Sequence, residues 1–341
     1  MSVVAIDIGG ANIKLANAQG WAYASYFPLW QKHEQLAEEL LRLKGLMPKC
    51  DHLAVTMTGE LADCFSSKVE GVQFILDAVE CVFDPAQTSI YLTSGEFVSV
   101  SEAASRPLEA AASNWHALAM YAARFVQDKD GLMIDIGSTS TDIVPYRAGQ
   151  PIHLGSTDTE RLLAGELIYT GVGRTPLCSL TDTVELAGKP CAVAAEFFAT
   201  TEDIYLVLGR IDEDADNLGT ADGRPLTQEF SEARIARMVC ADRDQLGSKQ
   251  IKQLAQQFAT HQTKRIANGL GKVLEEHSLQ PENILVSGHG RYVIDSVLAD
   301  FNLLDIATND LAALANSDAS RSGPAYALAV LATEYLESMQ G

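Results

Sequence analysis

The sequence predicts an α/β protein built from a duplicated unit. Two short runs support this prediction: DIGGANIK at 7–14 and DIGSTSTD at 135–142 share one plan, 128 positions apart. Each follows an apolar stretch suited to a buried strand, then turns through glycine and small polar residues before the chain becomes apolar again. Elsewhere, strand patterns alternate with helical patterns, which is typical of α/β architecture. The sequence therefore indicates one β-hairpin of this kind in each half of the chain.

The remaining elements follow from the spacing of apolar residues. Helical spacing predicts helices, and short apolar runs bounded by turn residues predict strands. The predicted helices cover 31–46, 68–83, 107–126, 248–277 and 325–336. Besides those of the two hairpins, the predicted strands cover 23–28, 51–58, 89–92, 204–208 and 283–287. The less regular stretch at about 155–245 indicates an insertion in the second half.

Composition sets the scale and excludes some classes of function. The 341 residues allow about two domains, and 47% hydrophobic with 21% charged residues is typical of a soluble globular protein. A net charge of −20 argues against the cationic surface that nucleic acid or an anionic membrane requires. Six cysteines without a C-x-x-C pair indicate reduced thiols rather than a zinc site or a disulfide framework. We expect a cytoplasmic protein without nucleic-acid or membrane partners.

The hairpin residues are suited to holding phosphate. Glycine lets the backbone approach phosphate oxygens, and serine, threonine and asparagine add donors. One carboxylate at each hairpin, Asp7 or Asp135, can serve a metal ion. Lys14, seven residues after Asp7, is predicted to contact phosphate. The predicted phosphate donors are Gly9, Gly10, Asn12, Gly137, Ser138, Thr139 and Thr141.

The order of these motifs resembles the actin, Hsp70 and sugar-kinase superfamily of two-lobed, duplicated ribonuclease H-like folds. The matching features are the two hairpins, a long helix between the lobes, and a strand that runs into Gly-x-Gly at 288–290. The resemblance implies roles for three sets of residues: Lys14 for phosphate, Asp7, Asp135 and Asp142 for Mg²⁺, and Gly288 and Gly290 beside a nucleotide such as ATP or ADP. It also implies a first lobe of 1–110 plus 321–341 and a second lobe of 111–320.

A second resemblance covers most of the chain. Six runs are similar to one hydantoinase/oxoprolinase-related family: TMTGELADCFSSKVEGVQFIL, AASNWHALA, MIDIGSTSTDIVP, AGELIYTGVGRTPLC, AAEFFATTEDIYLVLG and DGRPLT. Bacterial members of that family are labelled tetrahydromethanopterin-linked C1-transfer pathway proteins, and archaeal counterparts are synthases of methanofuran assembly. The resemblance implies a transferase that joins the phenol of γ-glutamyltyramine to an aminomethylfuran-methyl diphosphate. The products are an aryl ether and diphosphate.

Such a reaction needs help at the leaving diphosphate and at the attacking phenol. Lys14, other donors and Mg²⁺ would stabilise charge on the leaving group. A phenol, with a reference pKa of about 10, calls for a base, and the candidates Glu60, His116 and Glu166 all lie in the family runs. Glu60 is preferred because strand ends face the ligand crevice in open α/β sheets. The alternatives are that these glutamates only orient their neighbours, or that no dedicated base exists.

Two other functions stay open at this point. An ATP-dependent small-molecule kinase or ATPase is compatible with the same superfamily fold. A binding or regulatory protein would keep the fold without catalysis. For the transferase and the kinase alike we expect a homodimer, a common state for soluble enzymes of this size.

Overall fold

The computed structural model describes residues 2–125 and 128–339. The first six strands are β1 (Val3–Ile8), β2 (Asn12–Asn17), β3 (Ala22–Tyr26), β4 (His52–Met57), β5 (Thr88–Tyr91) and β6 (Phe97–Val98). They form one sheet in the order β3-β2-β1-β4-β5-β6. The helices in this part of the chain are α1 (Leu29–Lys32), α2 (Leu36–Lys44), α3 (Lys68–Val82), α4 (Val100–Ser105) and α5 (Pro107–Ala110). We call this part the first lobe.

The second lobe is built on a second sheet. Its strands are β7 (Asp130–Ile136), β8 (Thr141–Arg147), β9 (Gln150–Pro151), β10 (Leu167–Ile168), β11 (Thr183–Leu186), β12 (Lys189–Ala192), β13 (Asn283–Gly288) and β14 (Ala307–Asp310). The order is β10-β8-β7-β13-β14, with β9 on β8 and a separate β11–β12 pair. The helices from here on are α6 (Asn114–Ala123), α7 (Asp158–Ala164), α8 (Thr201–Val207), α9 (Gln228–Arg237), α10 (Arg243–Glu276), α11 (Arg291–Asp300), α12 (Leu311–Leu314), α13 (Ser317–Arg321) and α14 (Gly323–Ser338). Within the described parts of the chain, no helix is long and apolar enough to cross a membrane.

Five strands of each sheet repeat one arrangement. The order β3-β2-β1-β4-β5 matches β10-β8-β7-β13-β14. In both series the first two pairs are antiparallel and the last two are parallel. Each half is therefore a hairpin with a third antiparallel strand on one side and two parallel strands, reached by crossovers, on the other. This confirms the duplication that the two sequence runs predict.

Two helices connect the sheets. Helix α14 packs on β1, β2 and β4, α6 packs on β7, β8 and β9, and the two helices pack on each other. Trp115 of α6 and Tyr326 of α14 lie in the small apolar core between them, while each sheet has a larger core of its own. The lobe boundaries at 110/111 and 320/321 stay a prediction, and residues 1, 126, 127, 340 and 341 of that division lie outside the described residues.

Four predicted elements differ in the structure. The helix predicted at 31–46 is divided between α1 and α2, with a 3-10 turn at His33–Gln35 between them. Residues 204–208, predicted as a strand, lie mostly in α8, because a short run that is buried throughout has no period to separate strand from helix. The helix predicted at 107–126 is two helices, interrupted where Ala112 has a φ of 49°, and residue 126 lies outside the described residues. The helix predicted at 248–277 begins earlier, at Arg243, with a break at Gly247, whose φ is 68°.

The segment predicted as an insertion is partly sheet. Strand β10 lies within 155–245, yet it pairs with β8 as β3 pairs with β2, so it belongs to the duplicated unit. The elements that the first lobe does not repeat there are helix α7, the β11–β12 hairpin and helices α8 and α9. Of this added structure, α7 precedes β10 and the rest follows it.

Candidate active site

The two hairpins place four charged residues on corresponding register positions. Asp7 of β1 pairs with Lys14 of β2, and Asp135 of β7 pairs with Asp142 of β8. Directly opposed residues of an antiparallel pair project to the same face of a sheet. Each aspartate at the end of a hairpin's first strand is thus beside the residue seven positions later. The partner is a cation in the first lobe and an anion in the second.

Asp7 and Asp135 are buried carboxylates with unused oxygen atoms. Their side chains are 4% and 9% exposed, and Oδ1 of each has no hydrogen-bond partner among the described residues. Burial raises the pKa of each to about 6, and Lys14 acts in the opposite direction on both. Asp7 also raises the pKa of Asp135, so the charges of the two hairpins act on one another. Unpaired buried carboxylates of this kind are costly unless a cation joins them.

These two aspartates fit a Mg²⁺ ion. No group of three or more His, Cys, Asp and Glu side chains in the described residues is arranged to enclose a metal. Mg²⁺ usually keeps several waters and binds through one or two carboxylates together with phosphate oxygens. Two free oxygens from Asp7 and Asp135 meet that requirement, with the substrate's phosphates supplying the rest.

Hydrogen bonds fix the backbone of the first hairpin tip, residues 9–12, and leave space beside it. Gly9 donates its N–H to the Asn12 carbonyl at 3.0 Å, and a Cβ on Gly9 would lie 2.8 Å from that same oxygen. Leu29 donates its N–H to the Gly10 carbonyl at 2.9 Å. Gly10 itself faces open space, with no atom within 4 Å of an added Cβ. The tip thus has a fixed backbone and free room above it, as a phosphate contact requires.

The second hairpin tip, residues 137–140, is held by the loop after β10. Gly137 donates its N–H to the Ser140 carbonyl at 3.0 Å, and Gly173 and Arg174 both donate N–H groups to the Ser138 carbonyl. An added Cβ on Gly171 would come within 2.5 Å of the tip backbone, so only glycine permits this approach. The two tips therefore have the same construction, each with a neighbouring segment bonded to it.

The position of Thr141 argues against its predicted contact with phosphate. Its side chain is buried, and its hydroxyl donates to the Thr170 carbonyl at 2.8 Å. The hydroxyls of Ser138 and Thr139 are half-buried and 3.5 Å apart at the tip. The hydroxyls of Ser138 and Thr139 are therefore better placed for phosphate than that of Thr141.

One carboxylate oxygen of Asp142 is bound in an ion pair, which argues against its predicted role as a metal ligand. Its Oδ1 accepts from Arg161 Nη2 at 2.8 Å, and Arg161 is 1% exposed. Burial raises the pKa of Asp142, while Arg161 lowers it. The guanidinium also stacks over Trp115, 4.0 Å from the ring centroid. The sequence analysis missed Arg161; its one signal is the T-D-T-E capping box that starts α7.

Glu166 has a structural position, which argues against its prediction as a base. It is fully buried, and its carboxylate accepts backbone N–H groups from Leu154 at 2.6 Å and Gly155 at 3.2 Å. His277 Nε2 lies 3.5 Å from the same carboxylate. With both oxygens occupied, Glu166 supports the loop beside Arg161, whose Nη2 donates to the Glu166 carbonyl.

His116 is also buried among structural partners. Its Nδ1 lies 2.9 Å from the Tyr91 hydroxyl, and its ring packs edge-on against His153 and Trp115. Burial lowers its pKa to about 3, with His153 and Arg161 adding to the effect. A neutral histidine bonded to a tyrosine hydroxyl is a weak candidate for the base.

Glu60 has the features that a base requires. It follows β4, is 1% exposed, and its Oε2 has no hydrogen-bond partner among the described residues. Burial raises its pKa to about 7, with Asp158 adding to the effect and Lys68 opposing it. An added Cβ on Gly71 would lie 2.1 Å from the Glu60 carbonyl, so α3 docks directly on the Glu60 backbone. Of the three predicted bases, only Glu60 has a free carboxylate oxygen and a pKa near neutrality.

The Gly-x-Gly turn at 288–290 packs against the end of β7, beside Asp135. Gly288 has a φ of 88°, and an added Cβ would lie 2.2 Å from the Ile136 carbonyl and 2.8 Å from Asp135 Oδ1. An added Cβ on Gly290 would lie 2.5 Å from Ile136. Burial lowers the pKa of His289, between them, to about 4. Both glycines are needed for close packing on β7, and their predicted contact with a nucleotide stays a prediction.

Two lobes with matched hairpins and paired aspartates define the class of two-lobed α/β proteins that includes actin, Hsp70 and sugar kinases. Among solved structures, a non-polymerisable quadruple mutant of pCBH ParM is similar, with a TM-score of 0.50 and 12% identity over 99% of each chain. At that identity the likeness concerns the fold alone. A family model described as Hydantoinase/oxoprolinase matches residues 51–334. The chain belongs to the hydantoinase/oxoprolinase family.

Two curated relatives from methanogens carry the same name, (4-{4-[2-(gamma-L-glutamylamino)ethyl]phenoxymethyl}furan-2-yl)methanamine synthase. The protein from Methanocaldococcus jannaschii is 32% identical over 338 residues, which cover 98% of each chain. The protein from Methanococcus vannielii is 31% identical over 210 residues, covering 60% of this chain and 91% of the relative. Both relatives are named as enzymes that make a phenoxymethylfuran.

Proposed function

We propose that this protein is a transferase that forms the aryl ether of a methanofuran-type cofactor. It would join the phenol of γ-glutamyltyramine, or a similar phenol, to an aminomethylfuran-methyl diphosphate and release diphosphate. The observation that supports this most directly is the meeting of Asp7, Asp135 and Lys14 near the two hairpin tips. Similarity to the synthases over nearly the whole chain supports the choice of substrates.

The proposed reaction breaks the bond between the furan-methyl carbon and a diphosphate oxygen. The furan ring stabilises positive charge on that carbon, so the leaving group is the main barrier. Lys14 and the N–H groups of the two tips would bind the negative charge that builds on the diphosphate. Mg²⁺ at Asp7 and Asp135 would supply further positive charge to the same oxygens.

Glu60 would take the proton of the attacking phenol. A free phenol has a pKa of about 10, so little phenolate exists at neutral pH. A carboxylate with a pKa of about 7 is partly ionised there and is a stronger base than an ordinary glutamate. Lys68 and Asp158, the charged neighbours of Glu60, form an ion pair of 3.0 Å between the lobes.

The kinase alternative rests on the fold, which hosts many reactions. Binding of ATP or ADP therefore stays a prediction, as do the cytoplasmic location, the homodimer and the lack of nucleic-acid and membrane partners. Small-molecule substrates follow from the similarity to the named synthases.

One turnover assay separates these functions. The purified protein is incubated with Mg²⁺, γ-glutamyltyramine and the aminomethylfuran-methyl diphosphate, without ATP, and mass spectrometry and a diphosphate assay follow the products. We expect ether and diphosphate in equal amounts. No ether here, together with ADP formation when ATP and a small acceptor are supplied, would overturn the proposal in favour of a kinase.

A further inference from the structure

The candidate site is partly open and partly shielded. Gly10 at the first tip faces open space, whereas the unpartnered oxygens of Asp7, Asp135 and Glu60 are shielded from solvent. A substrate held by both tips must also reach these oxygens, so the spacing of the lobes affects how substrate and water enter. Contacts that join the lobes beside the tips therefore bear on access to the site.

One such contact joins Trp30 of the first lobe to Arg174 of the second. The Arg174 guanidinium carbon lies 4.6 Å from the centroid of the Trp30 ring, which is a cation–π geometry. Arg174 is exposed, and its guanidinium forms no salt bridge within the described residues. We call this pair the clamp.

Each half of the clamp is attached to one hairpin tip. Trp30 follows Leu29, whose N–H donates to the Gly10 carbonyl at 2.9 Å. The N–H of Arg174 itself donates to the Ser138 carbonyl at 2.8 Å. The contact between Trp30 and Arg174 therefore links the segments that hold the two tips. The Lys68–Asp158 ion pair is a second cross-lobe contact, close to Glu60.

The proposed chemistry makes closure important for the product. When the carbon–oxygen bond breaks, its electron pair leaves with diphosphate and the furan-methyl carbon becomes electron-poor. The phenol oxygen can attack that carbon and lose its proton, which gives the ether. Water can attack the same carbon and lose a proton, which gives a furan-methanol. Both routes release one diphosphate, so water is a direct competitor, and excluding it is one effect of active-site closure.

We propose that the Trp30–Arg174 clamp determines product specificity by keeping water from the furan-methyl carbon while diphosphate leaves. This inference rests on the proposed function. A cation–π contact at an exposed site corresponds to a factor of about two to five in an equilibrium. Loss of the clamp should therefore raise the furan-methanol fraction by about that factor, while diphosphate release continues.

The test measures ether, furan-methanol and diphosphate in one reaction for wild type, Trp30→Ala, Arg174→Ala and the double variant. We expect each single variant to raise the furan-methanol fraction about two- to fivefold, and the double variant to add little. Trp30→Phe, which keeps a ring, should lie close to wild type. The matched control is Lys44→Ala, which removes a cation–π contact with Phe83 inside the first lobe and should leave the fraction unchanged.

The outcomes separate the clamp from the proposed function. If wild type releases no diphosphate, the proposed function is wrong. If wild type forms ether and both single variants keep the wild-type product ratio, even at a reduced rate, the clamp proposal is overturned while the function stands. Should Trp30→Ala fail to fold, Arg174→Ala decides the matter, because an exposed arginine can be replaced without opening a core.

Discussion

The two hairpins share a backbone plan but differ in the residue opposite the aspartate. In the first lobe Lys14 faces Asp7; in the second, Asp142 faces Asp135. The second lobe places a cation there by another route, because Arg161 of α7 reaches Asp142 and is sealed from solvent. Lys14 is half-buried and forms no salt bridge in the described part of the chain. One cation is thus available to a ligand, whereas the other is used within the fold.

The two halves of this duplicated scaffold differ in the balance of charge at the hairpins. Three carboxylates, Asp7, Asp135 and Asp142, meet two cations, Lys14 and Arg161. The excess of negative charge favours a divalent cation at the free aspartates, and the diphosphate would then bind to that cation and to Lys14. The first hairpin would contact the leaving diphosphate through Lys14. The second hairpin would supply Asp135 as an oxygen ligand of the metal ion.

The largest effect is expected at Lys14. Lys14→Ala should lower kcat/KM for diphosphate release by about 10³-fold, because a cation on a leaving diphosphate contributes most in the transition state. Lys49→Ala, at an exposed lysine of the same lobe, is the control and should leave the rate unchanged. A Lys14→Ala enzyme with near wild-type turnover would remove the proposed difference between the hairpins.

The next effect concerns the paired aspartates. Asp7→Asn and Asp135→Asn should each lower activity on the order of 10²-fold and raise the Mg²⁺ concentration needed for half-maximal rate, since each removes one oxygen ligand. Titration of activity with Mg²⁺ checks this. If only one variant changed the Mg²⁺ requirement, the ion would belong to a single lobe.

The next prediction concerns the pH dependence of kcat/KM, which ionisation of Glu60 should determine. The log of kcat/KM should rise as the pH increases to about 7 and then level, as the carboxylate ionises. Glu60→Gln should abolish that rise and cost about 10²-fold in rate. A pH profile of Glu60→Gln that still rose through neutrality would assign the base to another residue.

The same pKa shift has a consequence for stability with a definite sign. The folded-state pKa of Glu60 lies above the ordinary value near 4.5, so burial favours the protonated form. The stability that this provides is fully present below about pH 4.5 and is lost as the pH rises through about 7. Glu60→Gln should therefore unfold at higher urea than wild type at pH 8, with the difference closing toward pH 4.5.

We expect replacement of Arg161 to lower the stability of the fold strongly, and to lower the activity by only about tenfold or less. Arg161→Met leaves Asp142 buried without its cation and should lower the free energy of unfolding by about 3–5 kcal/mol, measured with urea. Adding Asp142→Asn to this variant should restore most of the lost free energy of unfolding, because the uncompensated buried charge is then removed. If Arg161→Met were as stable as wild type but inactive, Arg161 would be a ligand contact like Lys14.

The hairpins could be predicted from the sequence, and their environment could not. A seven-residue spacing across a short turn is enough to pair Asp7 with Lys14 and Asp135 with Asp142. Arg161 was missed because it lies on another element, 19 residues beyond Asp142, and only folding brings the two together. Lobe packing likewise determines the contact between Trp30 and Arg174, and no local pattern encodes it.

The choice among the candidate bases also depends on contacts that form only on folding. Glu60 and Glu166 both lie in family runs, and nothing in their neighbouring residues separates them. They differ in partners: two backbone N–H groups bind the Glu166 carboxylate, whereas Glu60 keeps a free oxygen. Such a difference depends on which loops pack nearby. Strand ends, by contrast, follow from the fold class, and this is why Glu60 could be favoured in advance.

A crystal structure with Mg²⁺ and diphosphate would show how the two hairpins share the ligand. We expect diphosphate between the tips at 9–12 and 137–140, with Lys14 on one of its phosphates and the ion at Asp7 and Asp135. Asp142 should remain bonded to Arg161. Diphosphate bound at a single tip, or an ion held by Asp142 with Arg161 displaced, would contradict this arrangement.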